Sequence, residues 1–372
     1  TLIIYAPERL RRPKVREQAA AEETVISQGT STPVRFIAPD GQAERELPVF
    51  ADRAALISFY RAMLLTRIFD EKAVALQRTG RLGTFASSLG QEAVSVGLAS
   101  AMRKEDVLLP SFREQGAMLW RGVSPVELFL YWGGDERGSD FAGPREEFPM
   151  CIPVASHAPH AAGVALAMKL RGEKRAAVAV MGDGAKSKGD FYEAINISGV
   201  WRLPAVFVIS NNQWAISVPV GRQTAAATLA VKAMAAGIRS ARVDGNDVIA
   251  VHDAVGEAID RAISDQGPTL VECVTYRLGD HTTVDDSSRY RSDQEVSENW
   301  PSEPVARLRQ YLTAHEGWTK SDEENLIAEC HNLVGEAADR YAAIDPLEPK
   351  DMFEMTFASL PRDLEEQRNQ LS

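Results

Sequence analysis

Asp183 and Asn212 are the residues whose types and spacing most directly define a chemistry in this chain. Each follows a short apolar run. Val178-Ala179-Val180-Met181 leads into Gly182-Asp183-Gly184, and Val206-Phe207-Val208-Ile209-Ser210 leads into Asn211-Asn212. Such runs read as buried parallel strands, and Gly189 to Val200 between them reads as the crossover helix of a βαβ unit. In open α/β sheets ligands gather at the carboxyl ends of strands, so one carboxylate and one neutral amide oxygen converge there. Magnesium takes about six oxygens in near-octahedral geometry, usually from one or two carboxylates plus the phosphates of a ligand. Asp183 offers the charged oxygen, Asn212 a neutral one, and the backbone carbonyl of Trp214 a third. Gly182 lets the chain turn off its strand, and Gly184 lets backbone N–H groups approach phosphate oxygens. A lone Gly-Asp-Gly usually marks only a turn. Two such motifs, each after a strand and separated by one helix, are a far stronger signal.

The elements that position these residues are legible around them. Asp52 caps a long helix with apolar positions Leu56, Tyr60, Met63, Leu64, Ile68 and Val74, ending at Gly80. Helices are expected over Gln91–Met102, from Ser124-Pro125 onward, over His160–Leu170, Thr228–Ala236 and Asp247–Ser264, with strands at Val107–Leu109, Ala241–Val243 and Thr269–Tyr276. Gly133 to Pro149 reads as a long loop near the ligand cleft. Arg277 to Arg291 reads as a second long polar loop, longer than connections usually run without function. Its composition offers little apolar burial, so the loop is expected to order only with a ligand, Arg289 and Arg291 pairing with its own aspartates. Residues 1–50 are expected to form an extended arm on a partner, with one hairpin near Val34–Leu47 turned by Asp40-Gly41. Residues 51–300 are expected to form the ligand-binding domain, and 301–372 a helical tail packed on it.

More of the chain agrees with one family. From Ser58 to about Leu360 it resembles the alpha subunit of the decarboxylating first component of 2-oxo acid dehydrogenase complexes, enzymes dependent on thiamine diphosphate. The resemblance rests on Ser88-Leu89-Gly90-Gln91-Glu92-Ala93, Leu109-Pro110-Ser111-Phe112-Arg113, and Gly182-Asp183-Gly184 through Glu193. It continues through Asn211-Asn212-Gln213-Trp214-Ala215-Ile216-Ser217, Val243-Asp244-Gly245-Asn246-Asp247, Tyr276 through Thr283, and Asp285 through Arg291. It implies an α/β fold with a mostly parallel sheet covered by helices on both faces. It also implies magnesium ligands at Asp183, Asn212 and the Trp214 carbonyl, and cofactor contacts at Phe112, Arg113, Val154, Gly182, Gly184 and Ala185. Ile216 matches the large apolar residue that wedges between the cofactor's two rings, and His281 the active-site histidine that helps the acyl group pass to lipoamide.

The resemblance extends to partners. The glutamate that activates the cofactor in this family belongs to a separate beta subunit, which implies an alpha2-beta2 heterotetramer, and the product passes to a lipoyl-bearing acyltransferase core. Three positions depart from the pattern. Phe112 stands where many relatives have tyrosine and lacks its hydroxyl. Lys186 and Lys188 add charge just past Asp183 and are expected to face solvent. Val284 replaces a serine phosphorylated in some mitochondrial branched-chain relatives, which argues against that control. The Leu108-Leu109-Pro110 stretch, Gly189 through Glu193 and Lys232 through Ile238 favour pyruvate as substrate, with 3-methyl-2-oxobutanoate as the alternative. A non-catalytic assembly subunit of the same fold is the remote reading, disfavoured by intact Asp183, Asn212, Arg113 and His281.

Composition narrows the rest. Net charge is −11 from 41 basic and 52 acidic residues, with no excess cation to displace counterions from nucleic acid. No apolar run approaches the roughly 20 residues of a membrane span. Three widely spaced cysteines without Cys-x-x-Cys read as reduced thiols of an intracellular protein, expected to be bacterial and cytoplasmic with a mitochondrial matrix location left open. Five basic residues between Arg9 and Arg16 read as part of the arm. His157 and His160 read as local structure or cleft lining, and His252, His315 and His331 carry no assigned role.

Overall fold

The computed structural model describes residues 32–353 and 356–371. The basic stretch Arg9–Arg16 lies outside them. In chain order the helices and strands are α1 (Arg53–Arg78), α2 (Glu92–Ala101), β1 (Val107–Leu109), α3 (Gln115–Trp120), α4 (Pro125–Trp132), α5 (His157–Arg171), β2 (Ala177–Gly182), α6 (Gly189–Trp201) and β3 (Ala205–Asn211). They continue with the two-residue strands β4 (Trp214–Ala215) and β5 (Val218–Pro219), then α7 (Val220–Gln223), β6 (Arg239–Asp244), α8 (Val248–Ile263) and β7 (Thr269–Val274). The chain ends in α9 (Asp293–Asn299), α10 (Pro304–His315), α11 (Lys320–Ala342) and α12 (Arg362–Asn369).

Five strands form one parallel sheet in the order β1-β2-β3-β7-β6. Alternation along the strands divides its two faces. Val178, Val180, Val206 and Val208 point into a cluster with Leu56, Phe59 and Ile249 from the α1 and α8 side. Ala177, Ala179, Met181, Phe207 and Ile209 point the other way, against Ala161 and Ala165 of α5 and Phe191 and Ile195 of α6. A parallel sheet buried on both faces reads as continuous apolar runs. The small residues of α5 let that helix lie close on the alanines of β2.

Local chemistry sets the helix ends. Asp52 accepts from the Ala55 amide at the start of α1, and Ser124 and Glu127 form a reciprocal capping box at α4. Asp247 caps α8, and its second carboxylate oxygen accepts from Phe36 and Ile37 amides at 2.6 and 2.9 Å. That carboxylate ties the segment before α1 to the sheet. Val34 pairs in parallel with Val243 at the β6 edge, and Ile37 pairs with Ala43 across a turn at Asp40-Gly41. The hairpin is there, but it lies on this chain's own sheet. Gly97 seats α2 on α8: a Cβ there would stand 2.7 Å from the Val251 Cβ.

Three expectations are corrected. Thr228–Ala236 is a 3₁₀ turn over Ala230–Ala236, closed by Gly237 in the left-handed region, and not an α-helix. The 133–149 loop lies away from the cleft. Phe148 donates its amide to Leu108, and buried Glu147 pairs with Arg121, so only the following residues Cys151–Ala155 reach the cleft. The third concerns the partners of Arg291 in the 277–291 loop. Arg277 is buried, Tyr290 donates to Asp285, and Arg289 pairs with Asp286. Arg291 makes no aspartate pair; it donates to the carbonyls of Arg277, Leu278 and Gly279. Composition misses this because guanidinium groups satisfied by carbonyls substitute for apolar burial.

Candidate active site

The carboxyl ends of β1, β2, β3 and β7 open into one cleft of about 670 Å³. β1 runs into Pro110-Ser111-Phe112-Arg113, β2 into Asp183, β3 into Asn212, and β7 into Arg277 and the His281 loop. All the candidate residues named from the sequence line this cleft: Phe112, Arg113, Val154, Gly182, Asp183, Gly184, Ala185, Asn212, Trp214, Ile216 and His281.

Asp183 is almost fully buried, and burial pushes its carboxyl above the usual range while a hydrogen bond from Gln223 opposes the shift. Asn212 is buried too. Its Nδ2 donates to Gln91 Oε1 at 2.8 Å and its Oδ1 accepts the Trp214 amide at 3.2 Å, which fixes the amide's orientation. The Trp214 carbonyl accepts from Arg277 Nη1 at 3.3 Å and keeps its second lone pair. Among the described residues, no three His, Cys, Asp or Glu side chains gather in a metal-binding group. The donors here are one carboxylate, one amide and one carbonyl, an oxygen-only set that suits magnesium.

The cleft also suits a diphosphate. A Cβ at Gly182 would meet nothing within 4 Å, so the backbone there is open to a ligand. Gln91 Nε2 is buried in the wall with no acceptor among the described residues, a donor that a phosphate oxygen would satisfy. Arg113 is buried and not a surface arginine. It donates to the Ser87 carbonyl at 2.5 Å and to the His281 carbonyl and Nδ1 at 2.6 and 2.9 Å. Burial, with Arg277 nearby, pulls its guanidinium down to about 10. It remains charged at neutral pH, and the two cations together favour an anion.

His281 is held neutral. Burial first, then repulsion from Arg113 and Arg277, lowers its pKa to about 4. Both guanidinium groups can only donate, so Nδ1, at 2.9 Å from Arg113 and 3.4 Å from Arg277, is the acceptor and Nε2 carries the proton. Phe112 meets the imidazole edge-on at 5.9 Å and stacks under Arg113 at 5.2 Å.

Ile216 has φ +55°, left-handed, with its side chain half exposed in the cleft. For a β-branched residue this conformation is a real outlier, costing on the order of 1–3 kcal/mol. Two bonds hold it: Arg277 Nη2 donates to the Ile216 carbonyl at 2.9 Å, and β4 pairs with β5 across it.

Motif reading does not assign the roles of several residues that hold the site. Arg277 fastens Trp214, Ile216 and Tyr290 at once. Asp70, buried on α1 and pushed up to about 7 by burial, accepts from Ser87 and Ser88 and so sets the loop that holds Arg113. Burial likewise raises Glu114, in the cleft wall, to about 7. His157 is buried in the cleft wall and bonds the Val180 carbonyl through Nε2 at 2.6 Å, whereas His160 is exposed beside Phe148. Lys186 corrects the solvent-facing expectation: it is wholly buried, bonded to Ser187, while Lys188 stays half exposed. No helix among the described residues is long and apolar enough to cross a membrane.

Comparison with known proteins points to one family. The dehydrogenase E1 component family matches residues 60–350. The 3-methyl-2-oxobutanoate dehydrogenase subunit alpha of Mycobacterium tuberculosis (strain ATCC 25618 / H37Rv) is 40% identical over 341 residues, 91% of this chain and 93% of that protein. The pyruvate dehydrogenase E1 component subunit alpha of Bacillus subtilis (strain 168) is 38% identical over 309 residues, covering 82% and 83%. Its counterpart in Staphylococcus aureus (strain COL) is 38% identical over 313 residues, covering 84% and 85%.

Proposed function

The chain belongs to the dehydrogenase E1 component family, as a 2-oxo acid dehydrogenase alpha subunit, and from that premise we propose that it acts on pyruvate, oxidatively decarboxylating it to acetylate a lipoyl group. The observation that carries the site assignment is the convergence of Asp183, Asn212, Arg113 and His281 at four adjacent strand ends of one cleft. Pyruvate is supported by the Leu108–Pro110, Gly189–Glu193 and Lys232–Ile238 stretches. The longer match to the mycobacterial relative supports 3-methyl-2-oxobutanoate as the second reading. Assaying the reconstituted alpha–beta pair with both acids decides between them; a kcat/KM favouring the branched acid overturns the first.

Thiamine diphosphate, when bound, supplies the electron sink for decarboxylation. This chain's residues do the holding. Asp183, Asn212 and the Trp214 carbonyl would carry magnesium, and Arg113 and Gln91 would meet the diphosphate. Ile216 would press against the cofactor, with Val154 and Phe112 as further walls of the cleft. Neutral His281, carrying its proton on Nε2, would offer a hydrogen-bond donor to a group bound in the cleft.

Ile216→Ala tests the wedge. Removing the branched side chain relieves backbone crowding and forfeits little burial, so the melting temperature should hold or rise. Turnover at saturating cofactor should fall by about tenfold or more, equivalent to about 1.4 kcal/mol of barrier. Unchanged turnover would refute the wedge role. A second expectation concerns the missing half of the site: the purified alpha chain alone should decarboxylate neither acid. Rates matching the alpha–beta pair in the isolated chain would overturn the need for a beta subunit.

A further inference from the structure

Gln223 stands outside every motif in the sequence, yet it joins two parts of the cleft. Its Nε2 donates to Asp183 Oδ2 at 2.5 Å and to the Val218 carbonyl at 2.9 Å. Both partners are acceptors, so the amide's orientation is fixed by the network. Its Oε1 is buried with no partner among the described residues, a cost the side chain bears to make those two bonds. Val218 belongs to β5 and pairs with Ala215 of β4, and Ile216 lies in the turn between them. One side chain therefore bonds the β2 carboxylate and the hairpin that carries the strained isoleucine.

Two further contacts make that junction tight. A Cβ at Gly184 would stand 2.8 Å from the Ala215 Cβ, so the turn after Asp183 packs directly on the hairpin. Arg277 bonds the carbonyls of Trp214 and Ile216 from the other side. The hairpin has only two pairs of its own and depends on these neighbours for its place. A carboxylate with one oxygen held by an amide N–H has one preferred orientation, leaving Oδ1 to meet a cation. Partners of this kind behind a ligating carboxylate typically change metal affinity by about 10–100-fold when removed.

We infer that Gln223 is a positioning residue of the metal site, orienting the Asp183 carboxylate and locking it to the hairpin that presents Ile216. The inference rests on Asp183 being a magnesium ligand, as proposed above. It makes metal binding and hairpin placement reciprocal: whatever stabilises one arrangement favours the other.

The test uses the assembled alpha–beta enzyme without substrate, Mn2+ as the probe and saturating thiamine diphosphate. Bound Mn2+ is followed by electron paramagnetic resonance in wild type, Gln223→Met, Gln223→Leu and Asp183→Asn. Methionine keeps the length and unbranched shape, so folding is preserved; melting temperature checks this for each variant. Both Gln223 variants are expected to need about tenfold more Mn2+ for half-saturation at an unchanged melting temperature. The near-ultraviolet circular dichroism of the hairpin's Trp214 should change on Mn2+ addition in wild type and respond less in the variants. Wild-type Mn2+ affinity in both Gln223 variants, with affinity lost in Asp183→Asn, overturns the role of the amide alone. Wild-type affinity in Asp183→Asn overturns the metal-ligand reading and this inference with it.

Discussion

Asp183→Asn is expected to abolish magnesium-dependent cofactor binding. Asp183 is the single carboxylate in the proposed donor set, and the remaining amide and carbonyl oxygens bring no charge to a doubly charged ion. The loss should exceed the roughly 10–100-fold attributed to partners behind a ligand, because here the ligand itself is neutralised. Without metal the effect on stability has the opposite sign. Burial raises the Asp183 pKa, so the folded state binds that proton more tightly than the unfolded chain does. Its contribution is therefore favourable at pH below the unfolded value and is lost as pH rises through the folded one. At neutral pH the asparagine variant should melt at or above the wild-type temperature. Adding magnesium and thiamine diphosphate should then raise the melting temperature of wild type and leave the variant unmoved. An equal rise in both would remove Asp183 from the metal site.

Arg113→Met is expected to weaken thiamine diphosphate binding by about a hundredfold. Hydrogen bonds to charged groups contribute roughly 1.5–3 kcal/mol, and each 1.4 kcal/mol is about tenfold in affinity. Methionine also leaves the Ser87 and His281 carbonyls without a donor, which should loosen the 281 loop. The sharper readout is His281. Its pKa of about 4 reflects burial first and then repulsion from Arg113 and Arg277. Deleting one cation should move it upward, toward 6.5, so a larger fraction is protonated at pH 6. Imidazole resonances followed by NMR across pH 4–8 would show the shift. A variant whose His281 titrates as in wild type, with cofactor affinity intact, would show that Arg113 touches neither.

Asp183 and Asn212 show how far the sequence carries. Their positions at strand ends are legible because strand-ending motifs are local. An apolar run that stops at a glycine or an amide marks a strand's carboxyl end, and a parallel sheet puts such ends side by side. The central elements followed for similar reasons: Asp52, Ser124 and Asp247 announce helix starts through their own backbone bonds. The 3₁₀ turn at Ala230–Ala236 reads as an α-helix because its alanines have helix propensity, and its neighbours in the fold are β6 and α6.

What the sequence by itself determined is the parallel βαβ frame, the oxygen-bearing residues at its strand ends and the family those blocks spell. Each depends on residues within one or two elements. What only the tertiary structure decided is the surroundings that give those groups their properties. Arg113 and Arg277 follow different strands, yet together with burial they hold His281 neutral. Lys186 reads as a surface cation and lies buried. Gln223, far along the chain from Asp183, fixes one of its oxygens. Burial, pKa and the orientation of a carboxylate are sums over neighbours brought from distant positions, and no local pattern records them.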